Sequence, residues 1–399
     1  MSTLSRLTDK APSTPTTVNT LPSSSNLLHV SVETCQADLS REPLQCLLAT
    51  TADRRLHRLG VEPPFPTLVS ESRVHESPVL SCLILAGRYV ITTSMSGQVL
   101  LFDLENNAIL DERRDHRKYV IKVTAAEDDE GAWVATAGWD AKIHLYRLQF
   151  SPRDRKPSLG LPIASLTLPT NPEAVLFVPN PDFAEPVLIV SRRDSTSLYY
   201  YSLPSRPDTN ASSTIEAQLQ LLGAQNLAPH SNAWVAFSPS SLALCPTDPT
   251  LVAVATSAVP YMKLIIVRLL LPPPKSPSGA ATGPISQAEQ SRLALATQDR
   301  EDAAIMTHTS TLAPQTPYST PQVCWRPDGT GVWVNGDDGV LRGVEAKTGK
   351  IVTTSSGGHD AGSKIRAIWA GLVYKGGRAE EWVVSGGFDR RLVVWRIGD

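Results

Sequence analysis

Short apolar runs recur along this chain, each ending in Ser or Thr and each followed by a polar turn. Leu47-Leu-Ala-Thr-Thr, Val90-Ile-Thr-Thr-Ser, Trp133-Val-Ala-Thr-Ala and Trp382-Val-Val-Ser-Gly are four of them. After the turn comes a second short stretch that closes on a large residue, as in Arg391-Leu-Val-Val-Trp395. Runs of this length, bounded by Gly, Asp and Ser, read as paired β-strands. The 32 prolines and 24 glycines punctuate the chain too often for long helices, so an all-β fold is expected.

The pattern repeats at a fixed internal offset. The turn residue precedes the large residue by six in Asp53–Leu59, Ser96–Phe102, Asp140–Tyr146, Asp194–Tyr200, Asp338–Val344 and Asp389–Trp395. The first intervals between these anchors are 43 and 44 residues, and later ones are longer. A period in the low forties with paired strands marks a four-stranded propeller blade, and seven blades need roughly 300 residues. The expected organisation is a flexible lead over 1–22 with a closing strand, then one seven-bladed propeller over 23–399. The Pro/Ser-rich stretch 271–298, which opens on Pro272-Pro-Pro-Lys-Ser-Pro, is expected to be a disordered insertion between blades five and six.

These repeats resemble WD40 repeats of the β-propeller superfamily. His75, His116 and His359 stand ahead of the first strand of their repeats, and Pro327-Asp-Gly329 resembles the family's tight turn. The resemblance implies a hydrogen-bonded His, Ser/Thr, Asp and Trp network in each good blade. Matching positions are His359, Ser385, Asp389 and Trp395, and His116, Thr136 and Asp140 with Tyr146 in the Trp place. It also implies ring closure. The last repeat has no room for its outer strand before Asp399, so residues 14–21 are expected to supply it.

Composition narrows the chemistry. The 37 basic and 39 acidic side chains leave a net charge of −2, which argues against a dedicated nucleic-acid or membrane-surface binder. No apolar run is long enough to span a bilayer. Five scattered cysteines form no C-x-x-C pair, and buried thiols in a reducing compartment, cytoplasmic or nuclear, are expected. No nucleophile elbow, phosphate loop or zinc-ligand spacing is present, so no cofactor, metal or catalytic residue is expected.

The remaining signal lies in the turns. Trp139 and Phe388 each stand one residue before an anchor Asp, and Arg54, Arg193 and Arg390 lie beside theirs. An Arg-bearing face with aromatic anchors suits protein or peptide partners, acidic or phosphorylated segments among them. The expected function is a non-catalytic interaction scaffold. The alternatives are a substrate-recruiting subunit of a ubiquitin ligase and an RNA-associated factor.

Overall fold

A computed structural model describes residues 15–33, 46–61, 66–150, 157–180, 185–204, 217–231, 237–272, 286–375 and 378–398. They form seven separate antiparallel sheets of four strands, one of which gains a short fifth strand. Six are built from consecutive chain: blade 1 (27–73), blade 2 (79–113), blade 3 (120–167), blade 4 (172–226), blade 5 (239–314) and blade 6 (323–355). Blade 7 takes three strands from 365–397 and its fourth from Pro15–Pro22, which pairs antiparallel with Arg391–Ile397 from Pro15↔Ile397 to Pro22↔Arg391. The chain therefore closes its ring by pairing its beginning with its end, as expected.

The first strand of each blade packs beside the first strand of the next, and the seventh packs beside the first. These seven strands surround the axis. A four-stranded sheet cannot cover both of its own faces, so each blade buries them against its neighbours. Among the described residues seven apolar clusters result, one per interface. The apolar runs of the second and third strands fill them: Leu100, Ile143, Ile189, Val254 and Val393 are fully buried. Tyr200, the middle of three consecutive tyrosines, belongs to the cluster between blades 4 and 5.

The long insertion differs from expectation in place and in structure. It lies inside blade 5, between the strands Tyr261–Arg268 and Ile305–Pro314, and not between blades 5 and 6. Of the stretch 271–298, residues 273–285 lie outside the described residues, while Gln287–Ala304 is an α-helix, α1. Ser286 caps it by accepting a hydrogen bond from the Glu289 amide. The helix touches the ring near its end, where Ala304 is buried and the Glu301 carboxylate accepts the Asn226 amide at 2.8 Å.

Candidate functional site

Each blade's second-to-third turn opens on one end of the channel, and in six of the seven blades its first residue is fixed by one backbone bond to the same blade. The amides of Ala52, Met95, Trp139, Arg193, Ser257 and Phe388 donate to the carbonyls of Asn26, Pro78, Tyr119, Asn171, Ser238 and Lys364, at 2.8 to 3.0 Å. Each acceptor lies just ahead of, or at the very start of, the first strand of the same blade. Asp337 follows Gly336 in blade 6 as Phe388 follows Gly387 in blade 7. The Asp337 amide instead reaches the Pro314 carbonyl at the end of blade 5, at 3.3 Å, so six equivalently bonded residues and Asp337 ring this mouth of the channel.

The ring brings together some of the expected partner residues and separates others. Arg193 lies over the indole of Trp139, its guanidinium carbon 5.4 Å from the ring centroid, and the Tyr119 ring packs tilted against the same indole, 5.5 Å between centroids. Arg193 also pairs with Glu173 at 2.8 Å. Phe388 holds the same ring position in blade 7 and is 42% exposed. Arg54 and Arg390 lie elsewhere. They occupy left-handed turn positions, with φ of 77° and 60°, two residues beyond the ring position. Arg54 contacts the Glu76 carbonyl at 3.4 Å, and Arg390 is exposed. Arg193 stands one residue before Asp194 as Trp139 stands one before Asp140, whereas Arg54 and Arg390 follow their aspartates, so of the three arginines Arg193 is the one in register with Trp139. The sequence itself carries that difference: Arg192-Arg193 precedes Asp194, while Arg54-Arg55 and Arg390-Arg391 follow Asp53 and Asp389.

Beneath the ring the His-bearing blades carry polar networks. In blade 7, His359 bridges Ser385 at 2.8 Å and Asp389 at 2.9 Å, and the Trp395 indole N–H donates to Ser385 at 2.9 Å. In blade 3, His116 bridges Thr136 at 2.9 Å and Asp140 at 3.0 Å, but the Tyr146 hydroxyl turns away to Asp115. Burial alone raises the Asp140 carboxyl. The hydrogen bonds from His116 and from the Arg117 amide outweigh it and bring it down to about 2. Blade 2 has a network that sequence reasoning missed: His75 bridges Thr92 and Gln98, both at 2.8 Å. Gln98 lies two residues past the anchor Ser96, outside any fixed offset. Both histidine nitrogens are occupied in all three networks, and the rings are buried.

The sequence comparisons agree with this architecture. The profile of a beta-propeller domain family matches residues 24–396. The chain belongs to that family. A search of curated proteins found no match. The family match takes in every blade except the outer strand Pro15–Pro22 of blade 7, and it names no ligand and no partner.

Two further features of the propeller bear on what it can bind. A cavity of about 530 Å3 opens at the other end of the channel, where Val32, Leu244, Trp325, Trp369, Leu372 and Tyr374 are among the lining residues. One channel end is thus charged and aromatic, the other mainly apolar. Among the described residues no three His, Cys, Asp or Glu side chains gather as metal ligands, and no helix is long and apolar enough to cross a membrane.

Proposed function

We propose that this propeller is a WD40-type, non-catalytic interaction scaffold of the cytoplasm or nucleus, which binds a segment of a partner protein across the ringed mouth. The WD40 reading is supported by the four-residue chain His359, Asp389, Ser385 and Trp395 in blade 7. The binding reading is supported above all by the Trp139–Arg193 stack. A guanidinium set over an indole at a solvent-facing rim offers apolar area and forked donors together. Phe388, exposed across the same mouth, offers a second anchor. Acidic or phosphorylated segments complement Arg193.

Quantitative affinity purification tests this, comparing wild type with Trp139→Ala/Arg193→Glu and with Arg54→Glu/Arg390→Glu. Both variants should melt like wild type. The first is expected to lose partners that the second retains, and those partners should bind purified wild type directly. Retention of every partner by the first variant refutes the site. Ubiquitin-ligase subunits among the lost partners would assign the scaffold to substrate recruitment.

A further inference from the structure

The loop 315–322 joins the last strand of blade 5 to the first strand of blade 6. It lies at the ringed mouth, where the Asp337 amide reaches the Pro314 carbonyl just ahead of it. Its sequence is Gln315-Thr-Pro-Tyr-Ser-Thr-Pro-Gln322. Among the described residues Ser77, Ser238, Thr316 and Thr320 stand directly before a proline. The fold ties down three of them. Ser238 is buried, and its hydroxyl accepts the Asp194 amide at 3.1 Å. Ser77 is half-buried and accepts the Ser96 amide at 2.9 Å. Thr320 precedes a buried proline, and its carbonyl accepts the Asn335 side-chain amide at 2.9 Å. Thr316 differs: it and Pro317 are both exposed, and Tyr318 beside them is 89% exposed.

Thr316 also has a cation already in place. The Lys364 ammonium donates to the Thr316 hydroxyl oxygen at 3.1 Å and pairs with Asp337 at 3.0 Å. Asp337 is the ring residue of blade 6, and the Lys364 carbonyl accepts the amide of Phe388, the ring residue of blade 7. The turn around Thr316 is lightly held. The Ser319 amide donates to the Thr316 carbonyl at 3.0 Å, and the Thr316 amide to the Ser319 hydroxyl at 2.7 Å. Pro317 biases Thr316 away from helical backbone and toward the extended form. An exposed turn with so few bonds opens at low cost.

We propose that Thr316 is a phosphoacceptor for a proline-directed Ser/Thr protein kinase, with Lys364 as the residue that holds the phosphate. In the transfer the Thr316 oxygen attacks the γ-phosphorus of ATP, the bond to ADP breaks, and the hydroxyl proton passes to the kinase's base. The proline after the acceptor selects this class of kinase, and exposure selects Thr316 over Ser77, Ser238 and Thr320. The phosphate brings a charge of about −1.5 to −2 near neutral pH. Lys364 already lies within hydrogen-bond reach of the oxygen that receives it, so its ammonium has little distance to travel from Asp337 to the phosphate. This sector of the mouth then turns from a neutral Lys364–Asp337 pair to a net negative group. The site stands independently of partner docking at Trp139 and Arg193.

The test incubates the folded, full-length protein with ATP and a mitogen-activated protein kinase, a proline-directed enzyme, and maps phosphate by mass spectrometry of peptides. Mapping reads each acceptor separately, because Thr14, Ser151 and Ser276 also precede proline and lie outside the described residues. Thr316 is expected to be phosphorylated, while Ser238 and Thr320 stay unmodified. Pro317→Ala should melt like wild type and slow the labelling of Thr316 roughly tenfold or more. Phosphorus NMR then tests the cradle, using the resonance that Thr316→Val lacks. The second ionisation of that phosphate, ordinarily at about 6, should fall lower in wild type than in Lys364→Met, because the ammonium favours the dianion. No phosphate on Thr316, or labelling that Pro317→Ala leaves unchanged, overturns the proposal. Equal labelling of Ser238 and Thr320 overturns it as well, since the fold would then select nothing. A phosphate that titrates alike in both proteins removes Lys364 as its holder.

Discussion

At the scale of single residues, proton placement decides what the buried histidines do. In blade 7 one arrangement satisfies every atom: His359 Nδ1–H donates to Asp389, Nε2 accepts from the Ser385 hydroxyl, and that hydroxyl oxygen accepts the Trp395 indole N–H. Asp389 also accepts the Asp360 amide at 3.0 Å. The Arg391 amide is a third donor to it, and Asp389→Ala strands all three, so it is expected to destabilise the protein by about 2–3 kcal/mol in urea denaturation. A loss within experimental error would show that water replaces the carboxylate. His29 makes the opposite kind of prediction. Burial first, then Lys122 and Arg366, holds its folded-state pKa near 3, whereas the unfolded imidazole titrates near 6.5. The unfolded chain therefore binds more protons between those values, and stability falls as pH drops from about 6.5 toward 3. His29→Leu should flatten that part of the melting-temperature profile, and an unchanged slope would remove His29 from the account. The His359 network was legible in sequence because all four residues sit at family offsets. The blade 2 network was not, because Gln98 reaches His75 from the end of the turn, just ahead of the strand Val99–Asp103, and replaces an acidic turn residue with an amide.

Strands and the helix carry the next level. Pro15–Pro22 covers the edge of the strand that holds Trp395 and buries Leu392 with it. Its β-branched residues and its place just upstream of blade 1 made the pairing legible in sequence. Deleting residues 1–22 removes that ladder and exposes the edge. At about 1 kcal/mol per net hydrogen bond the loss is several kcal/mol, seen as a melting temperature lower by several degrees. Equal melting would refute closure as a source of stability. The insertion in blade 5 was harder to read. Pro272-Pro-Pro-Lys-Ser-Pro announces irregular chain, but the helix after it has no apolar stripe: Leu293 and Leu295 are more than half exposed. Periodicity is silent there, and the only signals were the Ser286 cap and a run of strong helix formers. Because α1 meets the ring chiefly at its last turn, replacing 273–297 with a short Gly/Ser linker should leave the melt nearly unchanged. Glu301→Ala should instead cost about 1–3 kcal/mol by stranding the Asn226 amide. A severe loss in the linker variant would show that the exposed part of α1 holds blade 5 together.

For the whole molecule, the architecture was legible because a blade is a repeat, and a repeat shows in sequence as a period. The mouth was only partly legible, because it is assembled around the ring rather than along the chain. Trp139 and Arg193 are 54 residues apart and meet only through neighbouring blades, each one residue ahead of its blade's anchor aspartate. This has a consequence for connectivity. Pro15 and Ile397 are paired neighbours, so a short linker can join them, and the chain can be opened instead within 273–285. The native permutation closes blade 7 with a strand from the far end of the chain; the permuted chain would close blade 5 the same way, with Ile305–Pro314 pairing to Tyr261–Arg268. All seven interfaces and the ring of turn residues are the same in both. The permutant should therefore fold to the same strand content by circular dichroism, and it should retain the partners that depend on Trp139 and Arg193. A permutant that folds but loses those partners would place part of the binding site in the severed segment or in the residues removed ahead of Pro15. One that fails to fold would show that closing at blade 7, rather than closure itself, organises the ring.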